Sequence, residues 1–385
     1  MTELSRSDFQ KLAQTTGSTC ISIYMPAEKA GTETRKNPIR FKNLIREAEQ
    51  KIEQLNKSEE LAKSLKSAEG YVDDYDFWQH QDCGLAFFVD AERVQYYRLP
   101  YSFQSEVEVS DRFYLKPLLP VISNDSKFYL LSLSQNQVKF FLGSHYSINQ
   151  IQLPESAPAS LAEALKYDDP EKQTQSHSAN SGNSPIYHGQ GVGTTDNKDE
   201  IKRFFDQVDN SLKAALQSEN TPLILAGVDY LLPIYHEANS YNNLLEAGIT
   251  GNPENVATED LHRSAWEIIE PHFAAQRQQA MDKYHQLADT NEASSQLEQI
   301  IPSAANGQVE TLFIAADAQK WGQFQPQANK VIFQTESAED SIDLINFAVV
   351  QTFLQGGNVY IQKDMPADTD ALAVFRYPVY AKANA

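Results

Sequence analysis

The sequence predicts an α/β protein of the α+β type that is divided into three domains. Its 385 residues exceed what one ordinary hydrophobic core holds. Hydrophobic residues make up 41% of the chain, which is enough to fill several cores. Short runs that resemble strands also alternate with segments whose apolar residues recur at helical spacing. We place an N-terminal domain at 1–122, a middle domain at 123–258 and a C-terminal domain at 259–385.

The N-terminal domain is predicted to begin with a strand followed by a helix. Cys20–Met25 alternate in the manner of a strand. The next helix starts near Pro38, a residue suited to a first helical turn. A second helix at about 58–69 and two strands at 84–89 and 94–98 follow. The apolar stripe of the first helix consists of Ile39, Leu44, Ile45, Ala48 and Ile52.

The middle domain is predicted to combine a strand hairpin with a helix and a buried strand. The hairpin strands are expected at 128–133 and 137–141. After a long polar stretch, Thr195 or Asp196 caps a helix, which leads to a strand at 222–226. The inner stripe of this helix consists of Ile201, Phe204, Phe205, Val208, Leu212 and Ala215.

The C-terminal domain is predicted to start with a long helix over 259–288. Because proline lacks the backbone N–H, we expect a local break at Pro271. A later helix over 339–353 ends at Gly356 and Gly357, as helices commonly do. Strands are expected at 311–315, 330–333, 358–361 and 372–375.

Composition and charge exclude several classes of protein. The formal net charge of −20 disfavours a general nucleic-acid binder but leaves room for a local basic patch. No apolar run reaches the ~18 residues that cross a bilayer, and the N-terminus lacks the pattern of a secretion signal. Cys20 and Cys83 lie in predicted strands and are expected to be buried free thiols, with a disulfide or a metal-binding pair as the alternative. We therefore expect a cytoplasmic protein.

A cluster of cations, which we call the basic face, follows the first strand. The twelve residues from Arg35 to Arg46 contain five cations and no acid. Such a cluster suits phosphate contacts whose strength depends on salt. From the pattern alone, the alternative is a solvated helix face that is balanced by the acids beginning at Glu47. The basic face consists of Arg35, Lys36, Arg40, Lys42 and Arg46.

A glycine-rich loop lies at 186–193, directly before a predicted helix. Its glycines permit backbone conformations and close approaches that side chains forbid. A phosphate-binding turn is one interpretation, because helix N-termini attract anions. The Lys-Ser/Thr of a P-loop is absent, however. A plain flexible linker is the other interpretation.

The remaining polar groups give weaker signals. The eight histidines lack close metal-ligand spacing, and no nucleophile elbow is present. We therefore expect no metal and no cofactor. Glu237 and Glu246, near Asn239 and Tyr241, either line a cleft or are solvated carboxylates near a helix end.

Seven segments carry a likeness to a known family. Together they resemble the bacterial branch of the archaeo-eukaryotic release factor family, which is related to Pelota. The resemblance covers essentially the whole chain and keeps the order of domains. The segments are Ser22–Pro26, Asn37–Leu44, Arg112–Leu118, Tyr187–Gly191, Ala226–Tyr235, Ala265–Glu270 and Gly307–Phe313.

The resemblance implies a fold and a role for each domain. It implies a decoding-type N-terminal domain, a ribonuclease-H-like middle domain and a C-terminal α/β sandwich domain that contacts a translational GTPase. The glycine-rich loop would enter the peptidyl transferase centre, where release factors carry Gly-Gly-Gln. The loop residues implied are Tyr187, His188, Gly189, Gln190, Gly191 and Gly193.

The loop departs from the family at one position. His188 stands where the family has a glycine, so we expect a loop that occupies the centre without hydrolysing peptidyl-tRNA. If the chain is active, Gln190 is the residue that positions the water. No clear stop-codon-reading motif is present, so the basic face is interpreted as contacting decoding-centre RNA. The residues implied are Lys29, Arg35, Lys36, Asn37, Arg40, Lys42 and Arg46.

The function that the resemblance favours is ribosome hibernation, without catalysis. The protein would bind the A site of the 70S ribosome, touch 16S and 23S rRNA, and block translation. Its other partners would be elongation factor Tu, in the GDP-bound form, and the P-site tRNA. The protein would be monomeric and would not contact a membrane. The alternatives are a release or rescue factor that hydrolyses peptidyl-tRNA, and a ribosome-independent hydrolase that uses the cleft near Glu237.

Overall fold

A computed structural model describes 4–29, 31–54, 65–123, 127–168, 193–216, 221–335, 341–362, 364–366 and 369–379. Helices and four β-sheets are present in these residues, which confirms the predicted mixed α/β class. The chain forms two compact units. One contains Met1–Asn124 together with Ala275–Ala385, and the other contains Asp125–Ala274. The three predicted domain ranges stay predictions about separate roles.

The N-terminal part of the first unit is an antiparallel sheet with helices. Its strand order is β3-β2-β1-β4. The predicted strands at 84–89 and 94–98 are confirmed, and 65–69, the described part of the second predicted helix, is helical. The elements are α1 (Arg6–Gln14), β1 (Thr16–Pro26), a 3-10 turn (Thr32–Arg35), α2 (Lys36–Gln54), α3 (Tyr75–Gln79), β2 (Gly84–Val89), β3 (Val94–Leu99), β4 (Glu106–Arg112), a second 3-10 turn (Lys116–Leu118) and α4 (Leu119–Ile122).

Helix α2 covers one face of this sheet. Phe41 is fully buried, and its ring lies 4.9 Å from that of Phe87 and 5.5 Å from that of Trp78. Leu44, Ile45, Ala48 and Ile52 join the same core, as predicted. Ile39 was predicted to belong to this stripe, and that prediction is wrong. Its side chain is 63% exposed, because residue 39 lies on the side of the helix opposite Phe41.

The second unit contains a five-stranded sheet. Its order is β7-β6-β5-β8-β9, with β6 antiparallel to both neighbours and with β5, β8 and β9 parallel. When the strands are counted from β5 as the first, this order is 3-2-1-4-5, and the second strand is antiparallel. That is the ribonuclease-H-like arrangement, as predicted. The elements are β5 (Lys127–Leu133), β6 (Val138–Ser144), β7 (Ile148–Ile151), α5 (Leu161–Asp168), α6 (Gly193–Leu216), β8 (Leu223–Gly227), α7 (Leu231–Ala238), β9 (Ile249–Thr250) and α8 (Thr258–Leu287), whose residues up to 274 belong to this unit.

Helices pack on both faces of this sheet. On one face, Phe204 and Phe205 of α6 join strand residues such as Leu131 in a buried cluster. On the other face, Ile269 and Phe273 of α8 join a second cluster. The predicted inner stripe of α6 is confirmed from Ile201 to Leu212, whereas Ala215 is only half-buried and Leu216 takes the buried position.

Helix α8 runs without interruption through Pro271, so the predicted break there is wrong. Proline cannot donate to the carbonyl of Glu267 one turn earlier. Both residues are exposed, so water can hydrate that carbonyl in place of the missing N–H. The cost of proline is therefore small enough for the helix to continue.

The C-terminal part of the first unit contributes two small sheets and two helices. The sheet orders are β10-β16-β11-β15 and β13-β12-β14. The four predicted strands are confirmed. The elements are β10 (Ala293–Ser294), α9 (Leu297–Ala305), β11 (Val309–Ala315), β12 (Trp321–Gln325), β13 (Lys330–Phe333), β14 (Ile342–Asp343), α10 (Leu344–Leu354), β15 (Asn358–Gln362) and β16 (Ala371–Phe375).

Helix α10 begins at Leu344, five residues after its predicted start at 339. Asp343 accepts a hydrogen bond from the backbone N–H of Ile345 and therefore caps the helix. The predicted end is confirmed, because Gly356 adopts φ 73° just after the last turn.

The N-terminal and C-terminal parts of the first unit share one hydrophobic core. The rings of Phe9 and Phe353 meet edge to face at 4.9 Å, and both belong to this core. A buried polar contact reinforces it, since Asn346 Oδ1 accepts from the backbone N–H groups of Leu115 and Lys116, each at 2.9 Å. Two stretches that are far apart in sequence thus form one body.

The two cysteines differ in environment. Both are free thiols, and Cys20 is buried as predicted. Cys83 is exposed, so the prediction of a second buried thiol is wrong, because residue 83 lies just before β2 and not within it.

Among the helices that the structure describes, we find none with the length and apolarity needed to span a bilayer.

Candidate nucleic-acid interface

The basic face lies on the 3-10 turn at Thr32–Arg35 and on the first three turns of α2. Burial of the inner side of α2 leaves its opposite side in solvent. Arg35, Lys36, Lys42 and Arg46 are exposed, and Arg40 is half-buried. The structure therefore brings together all five cations that the sequence singled out, at the start of one helix.

Two residues of the predicted site anchor the helix to the end of β1. Asn37 is fully buried, and its side-chain amide accepts from the N–H of Glu28 and donates to the carbonyl of Glu28, both at 3.0 Å. Arg40 Nη1 donates to the carbonyl of Pro26 at 2.5 Å. Asn37 was predicted as an RNA contact. Its side chain instead holds the loop that leads into the basic face, because both of its polar groups are occupied in the core.

Two cations have acidic neighbours. Lys29 Nζ lies 3.2 Å from Asp82 Oδ1, on a carboxylate that is almost fully buried. Lys36 pairs with Glu33 one turn away, and both of these side chains are exposed. Exposed pairs of this kind contribute little to stability and exchange readily with other partners.

The other exposed cations of the basic face are free to meet a ligand. Within the part of the chain that the structure describes, Arg35, Lys42 and Arg46 form no ion pair. Lys42 and Arg46 lie four residues apart and therefore next to each other on the helix surface, where like charges repel. An anion placed between them would relieve this repulsion.

The start of α2 adds to the positive potential. A helix N-terminus carries partial positive charge and is usually accompanied by acids. The first turn of α2 has none. Cations and the helix dipole thus act together at this end, which is an arrangement that favours bound phosphate.

Acidic residues bound the basic face on its C-terminal side. Glu47 pairs with Lys51 at 3.4 Å, and Lys51 Nζ donates to the carbonyl of Val107 at 2.6 Å on the edge strand β4. Burial raises the pKa of Glu108 on that strand to about 7, and the charge of Lys51 opposes the shift. Burial also raises the pKa of Glu106. No sequence pattern pointed to these two acids, because burial at a sheet edge has no periodic signature.

The glycine-rich loop lies outside the described residues. This applies to Tyr187, His188, Gly189, Gln190 and Gly191, and their predicted role stays a prediction. Gly193 is described, and it is the first residue of α6.

The carboxylates near α7 do not gather into a site. Glu237 pairs with Lys198 at 3.0 Å, and Glu246 is exposed. Asn239 and Tyr241 are engaged in a local turn, since Asn239 Nδ2 donates to the Tyr241 carbonyl at 2.8 Å. Among the described residues, no group of three metal-ligating side chains occurs.

Comparison with known proteins finds a family match within the second unit. Residues 128–271 match the model of bacterial archaeo-eukaryotic release factor family 7. This range lies within the unit Asp125–Ala274 and nearly fills it. No curated protein matches the chain.

Several solved structures are distantly similar. An archaeal translation termination factor is 12% identical, with a TM-score of 0.23 and 96% of each chain covered. Archaeal Pelota, in a model of the ribosome-bound protein with ABCE1, is 11% identical, with a TM-score of 0.38 over 75% of this chain and 73% of that chain. S. cerevisiae Dom34 is 13% identical, with a TM-score of 0.36 over 76% of this chain and 75% of that chain.

Proposed function

We propose that this protein is a ribosome hibernation factor. It binds the A site of the 70S ribosome and extends from the decoding centre to the peptidyl transferase centre. Elongation factor Tu, in its GDP-bound form, lies beside it, and the P-site tRNA is a further neighbour. The complex blocks translation and the protein catalyses no reaction. Within its family, the chain resembles the hibernation factor Balon in length, domain order and the absence of Gly-Gly-Gln.

The observation that carries the proposal is the placement of charge. The chain has a net charge of −20, yet exposed cations gather on one anchored helix with no acid from Arg35 to Arg46. An acidic protein is repelled by polyanions in general, so a local basic face favours one defined anionic surface. The family match of residues 128–271 supports ribosomal RNA as that surface.

Cosedimentation with vacant 70S ribosomes over a series of salt concentrations tests the proposal, with and without elongation factor Tu and GDP. The double variant Lys42→Glu, Arg46→Glu is expected to bind far more weakly. Its logarithmic salt slope should fall by roughly 0.7 to 0.9 for each lost phosphate contact. The control Lys66→Glu, Arg203→Glu changes net charge equally at two exposed cations outside the basic face. Failure of the wild type to sediment, or equal slopes for both variants, would overturn the proposal.

A release or rescue factor is the second candidate, because Gly189 and Gln190 of the release factor loop are retained. Peptide release from a stalled complex distinguishes the two. The hibernation role predicts no release at saturating protein. Release that Gln190→Ala abolishes would instead establish the enzyme.

A further inference from the structure

The centre of the basic face holds an apolar side chain. Ile39 is 63% exposed and lies on α2 three residues before Lys42, which makes the two side chains neighbours, and Arg35 ends the 3-10 turn just before the helix. It adds nothing to the core beneath α2. A β-branched residue is also a poorer helix former than the lysine or glutamine typical of an exposed position. The exposure of Ile39 is explained if an apolar surface of a bound partner covers its side chain.

A polar partner lies next to it. Asn43 follows Ile39 by four residues, so the two side chains are neighbours one turn apart. Asn43 is exposed and has no hydrogen-bond partner within the described part of the chain. Its amide offers a donor and an acceptor side by side. Ile39 and Asn43 therefore present a small apolar surface with a hydrogen-bonding edge.

The backbone below this pair is fixed before any ligand arrives. Phe41 is clamped between Phe87 and Trp78, and Asn37 and Arg40 bind the backbone at the end of β1. A ligand would therefore not have to order this part of the helix, which lowers the entropic cost of binding.

A nucleobase has the matching shape, with an apolar face and a donor–acceptor edge. In a regular RNA duplex the faces are stacked and the edges are paired, whereas unpaired bases expose both. Isoleucine is among the side chains that pack against unstacked bases in nucleic-acid complexes. The exposed cations near Ile39 are available to contact the flanking phosphates.

We propose that Ile39 and Asn43 form a subsite for one unpaired, unstacked base of RNA, with Arg35, Lys42 and Arg46 on its phosphates. The inference rests on the proposed function, since it takes the RNA to be ribosomal. An acidic protein surface is the competing occupant, and the crosslinking experiment below separates the two.

Affinity for 70S ribosomes provides the first test. Ile39→Ala and Asn43→Ala are each expected to weaken binding about tenfold with an unchanged salt slope, because neither removes a charge. Lys42→Gln should lower the slope. Gln50→Ala, exposed on the same side of α2 beyond the cations, should change neither. If the wild type fails to bind, the proposed function is lost. If Lys42→Gln lowers the salt slope but Ile39→Ala leaves the affinity unchanged, only the subsite is overturned.

Crosslinking provides the second test, because Cys83 is the exposed cysteine and Cys20 is buried. A photoreactive benzophenone is attached to Ile39→Cys in a Cys83→Ser background, and the ribosome complex is irradiated. We expect a crosslink to a nucleotide that is unpaired in the free ribosome. The same label at Gln50→Cys should not reach that nucleotide. Crosslinks only to paired nucleotides, or to a ribosomal protein, would overturn the subsite.

Discussion

Helices α2 and α6 have similar buried sides but different solvent-facing sides. Each is long and amphipathic, and each buries aromatic side chains against a sheet, Phe41 in α2 and Phe205 in α6. On α6, two cations have acidic partners, since Lys198 lies 3.0 Å from Glu237 and Lys202 lies 3.0 Å from Asp206. On α2, Lys42 and Arg46 have no ion pair among the described residues.

The difference shows which features of a helix the fold determines. Burial fixes where α2 and α6 lie and which side faces the sheet. It leaves the charge of the outer side open, because exposed substitutions change stability little. The two ion pairs of α6 suit a solvated helix, whereas the neighbouring and unpaired Lys42 and Arg46 of α2 suit an anionic ligand.

The largest expected effect tests the shared interior. Phe41→Ala and Phe205→Ala should each lower the free energy of unfolding by ~3–5 kcal/mol, because each removes a fully buried ring and leaves a cavity. Urea denaturation measures this. A loss below about 1 kcal/mol at either site would show that the two helices are not held in the same way.

The next effect concerns the anchor that only α2 has. Asn37→Ala removes two hydrogen bonds to the backbone of the half-buried Glu28, which should cost ~1–3 kcal/mol. Asn43→Ala, one and a half turns away and exposed, should change stability by less than about 0.5 kcal/mol. Equal losses in urea denaturation would mean that the amide of Asn37 is not an anchor.

A pH effect should arise at the edge strand beside α2. Burial raises the folded pKa of Glu108 from its ordinary value of 4.5 to about 7, so the folded state binds the proton more tightly. Its contribution to stability is present below pH 4.5 and is lost as the pH rises through about 7. After discounting for solvent, this amounts to on the order of 2 kcal/mol.

Urea denaturation at pH values between about 5 and 8 measures this contribution. Glu108→Gln should flatten the decline, although Glu106, whose pKa burial also raises, leaves part of it. An identical pH profile for the variant and the wild type would rule out Glu108 as the source.

The smallest expected effects are changes in stability that have opposite signs on the two helices. Lys42→Gln removes the repulsion with Arg46 and should stabilise by ~0.3 kcal/mol, whereas Lys202→Gln removes the pair with Asp206 and should destabilise by a similar amount. Paired thermal melts at low salt would detect the difference. Shifts of the same sign would contradict the contrast between the two surfaces.

The parts of the fold that follow from local pattern were predictable. Apolar residues at helical spacing identified α6 and most of the inner side of α2, and alternation identified β1. The basic face was equally visible, because charge clustering along one helix needs no knowledge of distant contacts. The prediction that Ile39 is buried failed because its spacing relative to Leu44 only loosely fits the inner stripe. Phe41 occupies the buried position instead.

The remainder depended on contacts between distant residues. The two hydrogen bonds between Asn37 and Glu28 join one pair of residues, and no periodicity points to that pair. The helix through Pro271 depends on the exposure of Glu267, which the sequence does not reveal. Which cations are neutralised likewise depends on partners brought close by folding, as with Lys198 and Glu237.

The joint core of the first unit has a consequence for synthesis of the chain. Phe9 leaves the exit tunnel long before Phe353, yet each ring needs the other as a packing partner. The nascent N-terminal sheet therefore keeps an uncovered apolar surface while the second unit is made, and such surfaces attract chaperones or aggregate. Only when the last strands emerge can that sheet become sealed, so a prematurely terminated chain would be a substrate for proteolysis.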